Sequence, residues 1–287
     1  MLFTYQLMRQ VFSLFFVALF FVSCKKQEAN QESYQTLYAV SYGSDTAQRM
    51  DVYLPPDRNT TNTKILILIH GGAWTSGDKT DFDSYIPDFK QRLPNYVIAN
   101  INYRLAYAPA NNLFPTQEND VKAAFNFILT KADEYHFNKE KLAVLGASAG
   151  AHLALLQCYK NSSPKVKALV DMFGPTDMVA LYNSSDQFSR LAIQSLLSGT
   201  PTTNPAIYQS SSPINFVSAQ SPPTLILHGG VDPLVPIAQS IALKNKLQSI
   251  SVPVQMVTYP NEGHGWTGAS LTDTYNQIVN FLANNNP

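Results

Sequence analysis

Cysteine is almost absent from this chain of 287 residues, which holds Cys24 and Cys158 alone. Two thiols are too few for a disulfide scaffold and are not spaced for a metal site. Charge is sparse as well: Lys, Arg, Asp and Glu make up 14% of the residues and cancel to a formal net charge of zero. Without a basic excess there is no electrostatic reason to bind nucleic acid or an anionic lipid surface. Internal repeats and a phosphate-binding glycine loop after a first strand are also missing. The histidines stand singly, without His-x-x-x-His spacing, which argues against a metal hydrolase; neither metal nor cofactor is expected. The length and an apolar content of 45% suit one large globular domain.

One long apolar run, Val11 to Val22, follows Arg9. As a helix it would measure about 18 Å, short of the roughly 30 Å of a bilayer core, so residues 1–23 read as a signal peptide. Ser23-Cys24 comes next, then Lys25-Lys26 and a polar stretch. A cysteine placed directly after an apolar core and a small residue resembles a bacterial lipoprotein processing site, with Phe21 where Leu is usual. The resemblance implies lipid on Cys24, membrane attachment through it, and export; ordinary secretion or an uncleaved anchor are the alternatives. Cys158 then stands alone in an oxidising compartment, so it is expected to be buried on its helix.

What is present is a series of apolar, β-rich runs alternating with helical patterns. Lys64–Ile69, Tyr96–Ile101, Lys141–Leu145, Ala168–Phe173, Thr224–Leu227 and Val252–Tyr259 predict a mostly parallel sheet covered by helices on both faces, an α/β fold. Tyr38–Tyr42 and Arg49–Tyr53 predict an antiparallel edge. After Pro115, Val121, Ala124, Phe125, Ile128, Leu129 and Ala132 recur at helical spacing, so one face of that helix packs on the sheet. The expected boundaries are a polar linker at 24–36 and a catalytic domain at 37–287, with a Ser-, Asn- and Pro-rich lid at about 177–222.

Chemistry enters with Gly146-Ala147-Ser148-Ala149-Gly150, set between a strand pattern and a helix pattern. Small residues on both sides let the chain turn sharply and expose a serine hydroxyl above the sheet, with backbone amides at a helix N-terminus beside it. A serine nucleophile needs a base, an acid to orient the base, and donors for the oxyanion. Asp232 follows the strand Thr224–Leu227 and is the expected acid; His264, on a glycine-flanked loop after Val252–Tyr259, is the expected base. His70, His136, His152 and His228 lie in settings that suit structural roles. Asp177 competes as acid but reads better as a helix cap. Glu262 is too near His264 in sequence to reach the far side of its ring.

The strand Lys64–Ile69 ends in His70-Gly71-Gly72-Ala73-Trp74. With the distant Gly-x-Ser-x-Gly, this resembles the hormone-sensitive-lipase-like esterases of the α/β-hydrolase superfamily, nearest in pattern to small bacterial carboxylesterases, feruloyl-esterase-like proteins and kynurenine formamidases. The resemblance spans about Tyr42 to Leu282. It implies an α/β-hydrolase fold, an oxyanion hole from the amides of Gly72, Ala73 and Ala149, and cleavage of short-chain or carbohydrate-linked acyl esters through an acyl-enzyme on Ser148. Ala73 departs from the third glycine usual in the lipases, and Trp74 points to the esterase and formamidase branch. Arg104 is expected to pair with Asp120 for structure. The alternatives are an amide hydrolase, either an arylformamidase or a peptidase like the prolyl oligopeptidases, and a noncatalytic surface binding protein.

Overall fold

The structure, a computed structural model, describes residues 34–107, 111–161 and 163–287. Cys24 and the segment expected to be a signal peptide, residues 1–23, lie outside the described residues. The apolar runs form the strands: β3 (Lys64–Ile69), β4 (Tyr96–Ile101), β5 (Leu142–Ala147), β6 (Ala168–Met172), β7 (Thr224–Gly229) and β8 (Val254–Tyr259). Before them, β1 (Gln35–Ser41) and β2 (Arg49–Leu54) make the edge. β1 starts two residues inside the segment expected to be linker, because Gln35 and Thr36 already pair with Leu54 and Tyr53. The eight strands lie in the order β1-β2-β4-β3-β5-β6-β7-β8. β2 runs antiparallel to both β1 and β4, and every other pairing is parallel.

Side-chain alternation along a strand divides the core into two layers. Ile65, Ile67 and Ile69 of β3 pack with residues of α2 (Thr116–Thr130), α3 (Ala149–Lys160) and α7 (Ala238–Ser249), among them Phe125, Leu153 and Leu243. Leu66 and Leu68 face the other way, towards Phe89 of α1 (Ile86–Arg92) and Ile278 and Phe281 of α8 (Gly268–Asn285). Both faces of β3 are dry, so its run is continuously apolar rather than alternating. Between β6 and β7 come α4 (Met178–Ser184), α5 (Gln187–Leu197), α6 (Pro205–Ser210) and a 3-10 turn at Pro213–Phe216, in the span where the sequence pattern breaks up. Among the described residues no helix is long and apolar enough to cross a membrane.

Parallel strands bring their carboxyl ends to one rim. Ser148 after β5, Phe173 after β6, Asp232 after β7 and His264 after β8 therefore share an edge, although more than a hundred residues separate the first from the last.

Candidate active site

Ser148 sits between β5 and α3 with φ 53° and ψ −120°, a conformation strained for a residue with a side chain. The flanking glycines make the turn passable: a Cβ at Gly146 would run into the Gly150 carbonyl, and one at Gly150 into the Ile69 carbonyl. The elbow is anchored to the neighbouring strand, where the Ser148 N–H donates to the Met172 carbonyl at 2.9 Å.

The three expected side chains meet here. The Ser148 hydroxyl lies 2.8 Å from His264 Nε2, and His264 Nδ1 lies 2.7 Å from Asp232 Oδ2. A carboxylate only accepts, so Nδ1 carries the proton and Nε2 is left to accept from the serine. Asp232 Oδ1 is tied down by the N–H groups of Leu234 and Val235 at 2.9 and 3.0 Å. Burial by itself would push this carboxyl up; the hydrogen bonds from His228, His264 and Val235 outweigh it and hold Asp232 well below the usual carboxylate range.

His228 does more than fix its loop. Its Nε2 donates to the Val235 carbonyl at 2.8 Å and also stands 3.4 Å from Asp232 Oδ2, so the acid is flanked by two imidazoles. Its Nδ1 meets the Ser240 hydroxyl at 2.7 Å. The position just before a Gly-Gly turn suggested a loop anchor; the reach to Asp232 depends on how that loop curls back.

Asp177, Arg104 and Cys158 take the structural roles the sequence suggested. Asp177 caps α4, accepting from Val179 and Ala180 N–H, and Glu262 accepts from the Ser270 hydroxyl at 2.6 Å. Arg104 meets Asp120 side on, Nη2 to Oδ1 at 2.6 Å and Nε to Oδ2 at 2.9 Å. Cys158 is buried, which pushes its thiol far above the ordinary range and away from nucleophilic use. His136 is exposed in the turns that follow α2.

The glycine loop after β3 faces the serine. Gly72, Ala73 and Trp74 all have positive φ, at 102°, 48° and 61°; the close Ser76 carbonyl leaves no room for a Cβ at Gly72. The amides of Gly72, Ala73 and Ala149 have no acceptor among the described residues. Gly72 and Ala73 line a pocket of about 420 Å³ together with Ser148 and His264, and Leu181, Ser185, Ser189 and Ile193 of the α4–α5 segment line it from the other side. Buried polar contacts hold this loop. His70 stacks on Tyr103 with ring centres 4.4 Å apart, and its Nδ1 donates to the Gly71 carbonyl at 2.8 Å. The Tyr103 hydroxyl lies 3.1 Å from the His70 and Gly71 carbonyls. Trp74 Nε1 donates to His152 Nδ1 at 3.1 Å, and His152 Nε2 donates to the Ser211 carbonyl at 2.7 Å. Nothing in the sequence marks Tyr103 as the buried partner of a loop some thirty residues away.

A serine elbow, a glycine loop and this strand order together describe the α/β-hydrolase fold, and the BD-FAE family profile matches residues 50–247. The chain belongs to the BD-FAE family. Among relatives of this BD-FAE chain, esterase LipC of Mycobacterium tuberculosis is 28% identical over 260 residues, covering 85% of this chain and 64% of its own length. The probable carboxylic ester hydrolase LipM of the same organism is 29% identical over 85% of this chain and 60% of its own. The chain thus spans rather less than two thirds of either relative. Of solved structures, a truncated carbohydrate esterase from gut microbiota superposes with a TM-score of 0.77 at 26% identity, over 90% of this BD-FAE chain and 98% of that one. Esterase B of Lactobacillus rhamnosis, inhibitor-bound, shares the fold with a TM-score of 0.74 at 18% identity, over 88% and 87%.

Proposed function

We propose that this protein hydrolyses carboxylic esters through an acyl-enzyme on Ser148. The observation that carries the reading is the unbroken hydrogen-bonded chain from Ser148 through His264 to Asp232, opening into a pocket bordered by free backbone donors. Ser148 Oγ attacks the ester carbonyl carbon while its proton passes to His264 Nε2; Asp232 holds the imidazole and stabilises its charged form. The carbonyl electron pair becomes an oxyanion, which the amides of Gly72, Ala73 and Ala149 receive. Collapse expels the alcohol, which takes the proton from His264. Water then repeats the sequence on the acyl-serine and frees the acid.

Esterase names among the relatives support this activity. A carbohydrate esterase among the solved neighbours supports a glycan-linked acyl group as one substrate class. Replacing Ser148 with Ala is expected to lower kcat/KM on a short-chain nitrophenyl ester by at least about 10³-fold with the melting curve unchanged, and to abolish fluorophosphonate labelling. Full turnover in that variant would refute the assignment. A binding protein without activity would fail to label at all.

Lipid attachment at Cys24 belongs to the same proposal and rests on the sequence pattern alone. Cys24→Ser is expected to move the protein from the membrane to the soluble fraction of a bacterial host. Continued membrane recovery in that variant would argue for an uncleaved anchor instead.

A further inference from the structure

Two cavities share wall residues next to Ser148. The first is the pocket of about 420 Å³ already described. The second, about 170 Å³, lies where the 3-10 turn Lys79–Phe82 and α1 approach α8, and its walls include Phe82, Tyr85, Phe89, Leu271, Tyr275 and Ile278. Gly71, Ala147 and Phe173 line both. Gly71 is pressed against the nucleophile, since a Cβ there would stand 3.3 Å from Ser148 Cβ. The shared wall is thus the wall at the reacting atom. Gly71 and Ala147 bring no more than backbone and a methyl group to it. Only Phe173 has a side chain large enough to separate one space from the other.

Phe173 is held in place rather than hinged. Its φ of 46° lies in the left-handed region, where a bulky aromatic is an outlier that persists only if its surroundings over-determine it. Its N–H donates to the Leu227 carbonyl at 2.8 Å, and its ring packs 4.6 Å from the His264 ring and 5.4 Å from that of Trp266. An ester bound at Ser148 sends two arms away from its carbonyl. An arm directed at α8 has to pass the residues that line both cavities, of which Phe173 is the bulky one.

We propose that Phe173 is a specificity-determining residue whose ring partitions the two cavities and limits the length of the substrate arm that points from Ser148 towards α8. This rests on Ser148 being the ester nucleophile. The space behind the ring is the right size for an apolar group of a few carbons or one aromatic ring, because an apolar cavity of about 150 Å³ accepts benzene. With Phe173 cut back, each further methylene buried in that space is worth roughly fourfold in binding at the transition state.

The test uses the full chain in mild detergent and two ester series, one lengthening the acyl group from acetate to hexanoate and benzoate, the other lengthening the alcohol of an acetate. Phe173→Ala is expected to raise the kcat/KM ratio of long or ring-bearing over short substrates at least about tenfold in one series, relative to wild type. The responding series identifies the arm. Adding Leu271→Phe, which refills the second cavity from α8, should return the ratio to the wild-type value, whereas Leu271→Phe alone should leave the profile unchanged. Phe173→Leu should shift the ratio the same way by less, and it carries the test if the alanine variant does not fold. A loss equal on every substrate in both series and both variants would overturn the inference, leaving Phe173 as a support for the His264 ring only. Failure of the underlying reading shows separately, as wild-type protein without Ser148-dependent ester turnover, and overturns both.

Discussion

Mild acid should loosen the glycine loop through His152. This histidine is fully buried, accepts from Trp74 Nε1 on one nitrogen and donates to the Ser211 carbonyl with the other. Burial is the main reason its pKa falls from 6.5 to about 4; the Ser211 contact pulls it up and Lys160 pushes it down. The folded protein therefore holds a neutral imidazole at a pH where the unfolded chain already binds a proton. Stability due to this group is intact above pH 6.5 and drains away as pH falls towards about 4. With about 1.4 kcal/mol per pKa unit, the loss reaches roughly 2 kcal/mol by pH 5 and roughly 3 kcal/mol by pH 4. Once charged, the ring can no longer accept from Trp74, so the loop that carries Gly72 and Ala73 loses its tie to α3. The assay is urea unfolding of wild type and His152→Gln at pH 8, 6, 5 and 4, followed by tryptophan fluorescence. Glutamine keeps one donor and one acceptor but does not titrate in this range, and other groups cancel in the difference. Wild type should lose about 3 kcal/mol relative to the variant between pH 8 and pH 4. A difference that stays flat with pH would refute the reasoning.

Other perturbations separate the proposed catalytic groups from their supports. Asp232→Asn places an amide N–H where His264 Nδ1–H now donates, which forces the wrong tautomer on the imidazole; kcat on a nitrophenyl ester should fall by about 10⁴-fold, and a loss below tenfold would contradict the assigned acid. Asp171 of β6 is buried with its Oδ2 unpartnered, and burial, opposed by the Gly174 N–H and by His228, raises its pKa from 3.8 to about 7. Its charge is thus a cost above pH 7 that vanishes as pH falls towards 3.8. Asp171→Asn should unfold at higher denaturant than wild type at pH 8, by at most roughly 4 kcal/mol. That advantage should shrink on acidification to pH 5, and a gap that widens instead would refute the raised pKa.

Local pattern was enough for much of the site. Gly146 and Gly150 announce a sharp turn because only a missing Cβ clears the Gly150 and Ile69 carbonyls, and a turn of that kind after an apolar run is visible in one dimension. Asp177 was legible as a cap for the same reason, its acceptor lying two and three residues from its donors. The lipases' third glycine is replaced by Ala73, and the structure shows that position at φ 48°, a conformation alanine reaches at a cost of about 1–2 kcal/mol. What remained hidden depends on contacts across the chain. His228 reaching Asp232, Tyr103 bracing His70, and Phe173 lining two cavities each follow from how loops return over the rim. β1 begins ahead of the expected domain boundary for a related reason: all its residues are exposed or partly buried, so the apolar signal that marks the inner strands is weak there.

By itself, the order of residues determined the alternation of strands and helices, the burial of both sheet faces, and which serine, aspartate and histidine stand after strands that run the same way. Those are consequences of side-chain period and of glycine at single positions, which act over a few residues. Tertiary structure alone decided the distances between those three groups, the ionisation of Asp232 between two imidazoles, and the volume open to a substrate. Each of these is set by groups far apart in the chain, and a hydrogen bond or a cavity wall exists only once the sheet has twisted and its loops have closed over the rim.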